Sequence, residues 1–192
     1  MDNIDLTGQV AVVTGSGYRA GRSIAQVLTS AGATVRLIVK TEDERSILDD
    51  LIDDTEGRFD VIVANTANRM AVNRAIQNLK AQAAFITLVV NIVDFTVNAV
   101  PLWQVDPGEW SASLETSLRN SLLWTKAAIA EMSRGGRIIN IADPSLFVHL
   151  TSSFETEAQS RGIKIFSIDP LSEFMRESVL LLASGRAAQV RS

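Results

Sequence analysis

Glycines between residues 15 and 21 are the first feature of this sequence that could do chemistry. Gly15, Gly17 and Gly21 follow the β-branched run Val10–Thr14 and open a helical pattern. A glycine-rich turn between a strand and a helix brings backbone N–H groups to the helix N-terminus, where the phosphates of a dinucleotide bind. Gly15, Gly17 and Ala20 fit the general dinucleotide fingerprint, although a turn of this kind also serves packing alone.

A second group of residues offers different chemistry. His149 is the only histidine, and with Asp143, Ser145 and Asp169 it could form a hydrolytic triad. No nucleophile-elbow pattern accompanies these residues. A non-redox enzyme that uses Asp143 or His149 as a base is therefore one of the alternatives for the function.

Composition limits the class of protein. The chain has 192 residues, 46% of them apolar, no cysteine and a formal net charge of -4. The absence of cysteine excludes disulfide scaffolds and thiolate metal sites, and the acidic balance argues against a nucleic-acid partner. The carboxylates of residues 42–56 lack the alternation of a calcium loop and predict a solvated helix face, so no metal site is expected. With no apolar leader and no membrane-length apolar stretch, we expect a soluble cytoplasmic protein that does not bind membranes.

Apolar runs alternate with helical patterns along the chain. The runs predict about six strands: Val10–Thr14, Thr34–Val39, Phe59–Ala64, Ile86–Val90, Arg137–Ile141 and Lys164–Ile168. The helical patterns cover Gly21–Ser30, Asp43–Asp54, the region of Val72, Ile76 and Leu79, Pro107–Met132, and Phe174–Ala183. This alternation predicts a doubly wound parallel sheet, a Rossmann-like α/β fold, in a single domain over residues 1–192.

The segment TGSGYRAG at residues 14–21 resembles the cofactor-binding turn of the short-chain dehydrogenase/reductase (SDR) family. Similarity continues in order along nearly the whole chain. It includes LTGQVAVV, VIVANTANRMAVNRAIQNL, LVVN, PLWQVDPGEW, GGRIINIAD, RGIKIFSIDP and VLLLASGRA. Relative to the family, the chain is shortened after the fifth strand, and it stops before the position of the family's closing strand.

The resemblance also assigns positions to the family's catalytic residues. The family uses a Tyr and a nearby Lys for proton transfer, a Ser that orients the carbonyl, and an Asn that holds a relay water. Ser117 stands at the Asn position and Asp143 at the Ser position, while the only tyrosine is Tyr18. Only eighteen residues separate Asp143 from Gly162, so the helix that carries Tyr and Lys is expected to be absent.

The cofactor positions are altered as well. Arg19 stands where the family's middle glycine stands, between Gly15 and Gly21, and would project into the space of the phosphates or pair with them. Val39 replaces the acid that contacts the NAD ribose, and the following Lys40 would suit a 2′-phosphate.

Two further cofactor positions lie after the third and fourth strands. Asn65 replaces an Asp near the adenine, and Asn91 begins a turn in which Ile92 and Val93 would fill the space of the ribose. The resemblance therefore implies a vestigial site: no cofactor is expected, except weak NADP binding.

The long helix is expected to supply a subunit interface. Leu114, Leu118, Leu122 and Ile129 form the predicted core stripe, and Leu123, Trp124 and Ala127 widen the apolar arc around the helix. In the family this helix and the Tyr-bearing helix build a four-helix subunit interface. Trp110, Leu123, Trp124 and Ala127 are therefore the predicted interface residues.

These expectations predict an SDR-like pseudoenzyme: an inactive subunit in a hetero-oligomer, such as a heterotetramer, with an active SDR paralogue that carries any NAD(P)-dependent alcohol dehydrogenase activity. Silent subunits of this kind occur in the family, for example in mitochondrial ketoacyl reductases and in a complex of anaerobic toluene (benzylsuccinate) breakdown. A hydroxyacyl-CoA substrate for the complex is one extension of that resemblance. The alternatives are an NADP(H) sensor that uses Gly15, Arg19 and Lys40, and the non-redox enzyme above.

Overall fold

A computed structural model describes residues 4–15, 18–48, 58–81, 85–93, 102–132, 135–142 and 154–186. Its centre is a parallel sheet of six strands in the order β3-β2-β1-β4-β5-β6. The strands are β1 (Val10–Gly15), β2 (Thr34–Val39), β3 (Phe59–Val63), β4 (Leu88–Ile92), β5 (Arg137–Ile141) and β6 (Lys164–Ile168). The predicted doubly wound sheet is confirmed.

Helices cover both faces of this sheet. They are α1 (Tyr18–Ser30), α2 (Glu42–Ser46), α3 (Arg69–Ala81), α4 (Pro107–Glu131) and α5 (Met175–Ala183); residues 154–160 are also helical. Neighbouring strand residues point to opposite faces. Val13 accordingly packs in one core cluster with residues of α1 and α5, and Val12 packs in another with residues of α3 and α4.

The strand β4 begins later than its apolar run predicts. It was expected at Ile86–Val90 and is Leu88–Ile92. Pairing with β1 sets these bounds, because Leu88 lies opposite Ala11 and Ile92 lies opposite Gly15. The polar Asn91 therefore lies within the strand, where the apolar run alone placed an end.

The helix expected at Asp43–Asp54 is shorter in its described part. The helix α2 covers Glu42–Ser46, and its N-cap is Thr41, whose hydroxyl accepts a hydrogen bond from the Glu44 backbone N–H. Leu48 is buried, whereas Ile47 is exposed. Residues 49–54 of the expected helix lie outside the described residues.

The predicted core stripe of the long helix is buried only at its last position, Ile129. Leu114 and Leu118 are only half-buried and Leu122 is exposed. The buried residues of α4 are instead Asn120, Ser121, Trp124, Thr125, Ala128 and Ile129. Asn91 and Asn140 project from the sheet towards this helix, and they hydrogen-bond Thr125 and Ser121. The polar stripe faces the sheet because the sheet itself is polar there.

The bounds of α4 agree closely with the prediction. Asp106 caps the helix, its carboxylate accepting a hydrogen bond from the Glu109 backbone N–H, and Pro107 follows at the first position. Within the described ranges, neither this helix nor any other combines the length and the apolar character needed to cross a membrane.

Candidate active site

The strand order defines where a ligand could bind. The chain passes from β1 to β2 and β3 on one side, whereas β4 lies on the other side of β1 and leads to β5 and β6. In such sheets the crevice outside the carboxyl ends of the strands, at the point where the order reverses, is the ligand site. Gly15 ends β1 and Ile92 ends β4 at this point, so the glycine-rich turn does begin at the crevice.

Gly15 and Gly21 are both required by close packing. Gly15 has a φ of 126°, and a Cβ there would lie 1.8 Å from the backbone oxygen of Ile92. At Gly21 a Cβ would lie 3.1 Å from Cδ1 of Leu37, so this glycine lets α1 approach β2. The packing role that the sequence left open is therefore present at both glycines. Gly17 and the side chain of Arg19 lie outside the described residues.

At the carboxyl end of β2 lies a carboxylate that belongs to the following helix, α2. Val39 is buried and its side chain has no hydrogen-bond acceptor, and Lys40 is exposed. The backbone N–H of Lys40 donates to Oε2 of Glu44 at 2.7 Å. Sequence reasoning missed Glu44, although the spacing Thr41-x-x-Glu44 is the signal of a capping box.

The described residues at this corner carry more acidic than basic side chains. The backbone donor of Lys40 and the hydroxyl of Thr41 are both engaged, and Glu42 and Asp43 add further carboxylates in the same first turn. A phosphate at the end of β2 would face these carboxylates as well as the Lys40 ammonium.

The end of β3 supplies an amide that already has a hydrogen bond. Asn65 is exposed, and its Oδ1 accepts a hydrogen bond from the Ala67 backbone N–H at 3.1 Å. Asn68, a little further on, caps α3 through the backbone N–H groups of Met70 and Ala71. The amide of Asn65 therefore stabilises the turn that leads into α3.

Asn91 at the end of β4 is part of a buried polar cluster. Its Nδ2 donates to Oδ1 of Asn140 at 2.9 Å and to Oγ1 of Thr125 at 3.1 Å. Ser121 also donates to Oδ1 of Asn140. The sequence assigns Asn91 to the cofactor, whereas in the fold its amide group joins β4 to β5 through Asn140 and to α4 through Thr125. The signal in the sequence is the matched pair LVVN and RIIN, which places an asparagine at the same row of two adjacent strands.

The two residues after Asn91 are apolar and enclosed. Ile92 is 7% exposed and Val93 is 4% exposed. The backbone N–H of Val93 donates to the Ile141 carbonyl, and its side chain packs with Ala142 and Leu118. A cofactor ribose meets no hydrogen-bonding side chain at these two positions.

The positions assigned to the reaction do not form a cluster among the described residues. Ser117 is half-buried on α4 and has a hydrogen-bond partner, whereas Asp143 and His149 lie outside the described residues. Tyr18 is the first residue of α1, which packs on the sheet face opposite to α4. Residues 154–160, which are helical and precede β6, include neither Tyr nor Lys.

The interface residues divide into buried and exposed groups. Trp124 is fully buried in the core cluster of α3, α4 and the sheet, so its assignment to an interface is wrong. Leu123 and Ala127 are half-buried and pack against the same cluster. Trp110 is 48% exposed, and Trp103, in the 3-10 turn before α4, is 84% exposed. Trp124 was misassigned because its stripe faces inward beside the polar cluster.

Within the described ranges, no group of three or more His, Asp or Glu side chains could hold a metal ion. Part of the acidic stretch of residues 42–56 lies outside those ranges. The described carboxylates Glu42, Asp43 and Glu44 lie in the first turn of α2, where the helix dipole favours negative charge. In the part of the chain that the structure describes, these carboxylates therefore stabilise the N-terminus of α2.

Comparisons with known proteins agree with this architecture. The family model described as short chain dehydrogenase matches residues 9–145. An uncharacterised oxidoreductase of Staphylococcus aureus strain MRSA252 is 28% identical over 185 residues, which cover 86% of this chain and 78% of the relative. Nodulation protein G of Rhizobium meliloti strain 1021 is 34% identical over 139 residues, 71% of this chain and 55% of the relative.

Solved structures show the same fold. A short chain dehydrogenase from Burkholderia cenocepacia J2315 in complex with NADP superposes with a TM-score of 0.76 at 17% identity, covering 97% of this chain and 94% of the other. A metagenomic short-chain oxidoreductase in complex with NADP gives a TM-score of 0.71 at 25% identity, covering 97% and 95% of the two chains.

Proposed function

The chain belongs to the short-chain dehydrogenase family, and from that premise we propose that it is a non-catalytic subunit that stabilises or completes an oligomer with an active member of the same family. Its relatives are named oxidoreductases, and in this proposal the oxidoreductase activity resides in the partner. The observation that carries the proposal is the place of the only tyrosine, at the start of α1.

Proton transfer in the family needs a phenol beside an ammonium, next to the reacting carbonyl. Tyr18 begins a helix that packs on the sheet face opposite to α4, whereas the assigned position Ser117 is on α4. The stretch from Asp143 to Gly162 contains no tyrosine and no lysine. The segment in which the family carries its catalytic Tyr and Lys therefore contains neither residue type in this chain.

The cofactor positions support the same proposal. A dinucleotide would meet the Glu44 carboxylate at the end of β2, and the enclosed side chains of Ile92 and Val93 at the end of β4. Together with the buried Val39, these residues supply few of the donors and acceptors through which such folds hold a dinucleotide.

Exposed apolar residues before and along α4 support a partner. Trp103, Trp110 and Leu122 expose 84%, 48% and 36% of their surface. Large aromatic side chains are enriched in protein interfaces relative to the rest of a surface. These exposed apolar side chains would fit against the apolar helix face of another member of the family. Subunits of the family associate through the corresponding helix.

Activity measured in the presence and absence of a partner tests the proposal. The chain is expressed alone and together with a full-length family member from the same organism, and ketone reduction with NADH and NADPH is followed. We expect no reduction by the isolated chain, and a complex whose activity depends on the tyrosine of the partner. Measurable ketone reduction by the isolated chain contradicts the proposal.

Association is tested separately by native mass spectrometry of the co-expressed proteins. We expect Trp110→Ala to weaken the complex about tenfold or more, because truncation of a central interface tryptophan commonly costs that much. Gln26→Ala is the control, since Gln26 is an exposed residue of α1, on the opposite face of the sheet. Equal effects of the two substitutions would argue against an interface at Trp110.

The alternative role as an NADP(H) sensor predicts a different result. A ligand that binds only the folded state raises the free energy of unfolding by RT ln(1 + c/Kd), where c is the free ligand concentration. We expect 1 mM NADPH to shift the melting temperature by less than about 1 °C, as for a dissociation constant above that concentration. A shift of several degrees would favour the sensor.

A further inference from the structure

The strand β3 lies at one end of the sheet, and its outer edge carries backbone groups that β2 does not use. Among the described strands, β2 is the only neighbour of β3. The N–H of Val35 donates to the Arg58 carbonyl, and the N–H of Ala64 donates to the Val39 carbonyl. In a parallel ladder every second residue bonds one neighbour, so residues 58, 60, 62 and 64 face β2. The residues between them, Val61 included, turn their backbone N–H and C=O groups away from the sheet.

Side chains bond both outward backbone groups of Val61. Its N–H donates to Oδ1 of Asp60 at 2.8 Å. Its carbonyl accepts a hydrogen bond from Nη1 of Arg45, a residue of α2, at 3.0 Å. Val61 is 1% exposed, whereas Asp60 and Arg45 are half-buried, so a carboxylate and a guanidinium cover this part of the strand while each still reaches solvent.

The two bonded groups are the ones that an added strand would use. In an antiparallel ladder, two residues directly opposite each other can exchange both of their N–H···O=C bonds. Two copies of β3 related by a two-fold axis at Val61 would make this exchange between their Val61 residues, and Phe59 of each copy would lie opposite Val63 of the other. A free sheet edge is a template for pairing with another chain, and charged side chains are a common way to close it.

The composition of β3 favours such pairing. The strand reads Phe-Asp-Val-Ile-Val, in which four of five residues are aromatic or β-branched and Asp60 is the only charge. Strands with high β propensity, low net charge and no proline are the ones that pair between chains. Asp60 is therefore the one residue of the strand whose side chain opposes pairing, and Arg45 adds a second charge from outside it.

We propose that Arg45 and Asp60 block strand addition at the β3 edge, and that without them two copies of this chain pair antiparallel through β3. An incoming strand has to displace both side-chain hydrogen bonds and remove a carboxylate and a guanidinium from water, which opposes association. The edge is separate from α4, which packs on β1 and β4. This inference is therefore independent of the proposed function.

The first test removes both side chains. Arg45→Met/Asp60→Ala leaves the net charge of the chain unchanged, so new association cannot come from weaker overall repulsion. In sedimentation velocity we expect a concentration-dependent species of about twice the wild-type mass, because an isologous pair closes on itself. The control Arg45→Lys/Asp60→Asn keeps a donor and an acceptor and should sediment as the wild type does. A mass equal to that of the wild type at every concentration overturns the proposal.

The second test locates the contact by amide hydrogen exchange. In dilute Asp60→Ala the Val61 amide loses its acceptor and should exchange at least about tenfold faster than in the wild type, whereas Asp60→Asn should keep it slow. This amide should become protected again as the concentration of the variant rises. If Val61 exchanges equally slowly in dilute Asp60→Ala and in the wild type, Asp60 does not block the edge. If the amide stays unprotected when the chains associate, pairing through β3 is wrong. The single variant decides both points even where the double variant does not fold.

Discussion

Gly15 and Ile92 meet backbone to backbone at the carboxyl ends of β1 and β4. A Cβ at position 15 would lie 1.8 Å from the Ile92 oxygen and 2.6 Å from its carbonyl carbon. These are backbone atoms of a paired strand, so they cannot move aside as the end of a side chain can. Gly15 is therefore needed for the sheet itself, whether or not a phosphate binds above it.

The first prediction concerns this contact. Gly15→Ala should lower the free energy of unfolding by more than about 4 kcal/mol or prevent folding, because both the clash and the positive φ are unfavourable. The control is Gly8→Ala, where φ is 81° and nothing lies within 4 Å of the added carbon. That substitution should cost only about 1–2 kcal/mol, from the left-handed backbone.

Urea denaturation of the two variants provides the comparison. If Gly15→Ala is no more destabilising than Gly8→Ala, the close approach of β1 to β4 is absent in solution.

The second prediction separates the two tryptophans of α4. Trp124→Ala should cost about 3–5 kcal/mol of unfolding free energy, since it empties a fully buried site. Trp110→Ala should change that free energy by less than about 1 kcal/mol, since half of the side chain is already exposed. Thermal or urea unfolding of the isolated chain measures both values. Comparable losses would mean that Trp110 is also packed within this chain.

The third prediction concerns the asparagine pair of the sheet. Asn140→Ala should cost about 2–3 kcal/mol, because it removes the acceptor of Asn91 and Ser121 in a buried site. The control Asn65→Ala removes an exposed hydrogen bond to the Ala67 backbone and should cost less than about 1 kcal/mol. Equal losses in chemical denaturation would show that the buried cluster contributes no more than a surface turn.

The fourth prediction concerns pH. Hydrogen bonds from the side chain and the backbone N–H of Thr7 lower the pKa of Asp5 below its ordinary value of 3.8. A lowered pKa in the folded state stabilises the protein above the unfolded-state pKa, and this contribution is lost as the pH falls through the folded-state pKa. Thr7→Val removes the hydroxyl donor, so the Asp5 pKa should rise towards its ordinary value.

An NMR titration of the Asp5 carboxyl carbon measures this change. Thr7→Ser keeps both donors and should leave the Asp5 pKa low. If Thr7→Val leaves it equally low, the hydroxyl does not contribute.

The comparison between sequence and structure is clearest in the long helix. Its bounds were predictable because Asp106, Pro107 and the length of the pattern are local signals. Its inward face was not, because leucines at helical spacing indicated one stripe while Asn91 and Asn140 required another. An apolar stripe is a reliable guide only where the opposing surface is apolar too.

The carboxyl end of β2 gives a second example. Val39 was correctly predicted as the last residue of the strand, with Lys40 directly after it. A carboxylate is nevertheless present at this end of the strand, from Glu44 in the first turn of the next helix. The capping spacing was visible in the sequence, but which backbone N–H donates to the Glu44 carboxylate depends on how tightly the chain turns.

By itself the sequence determined the alternation of strands and helices, the parallel sheet and the family, because these follow from periodicity and from motifs within short segments. It also determined that the only tyrosine, Tyr18, lies shortly after the first strand and before all the others. Only the tertiary structure decided that Gly15 packs on Ile92, that Asn91 binds Asn140 and that Trp124 faces inward. Those contacts join segments that are distant in the chain, and their geometry is fixed by strand register and helix rotation.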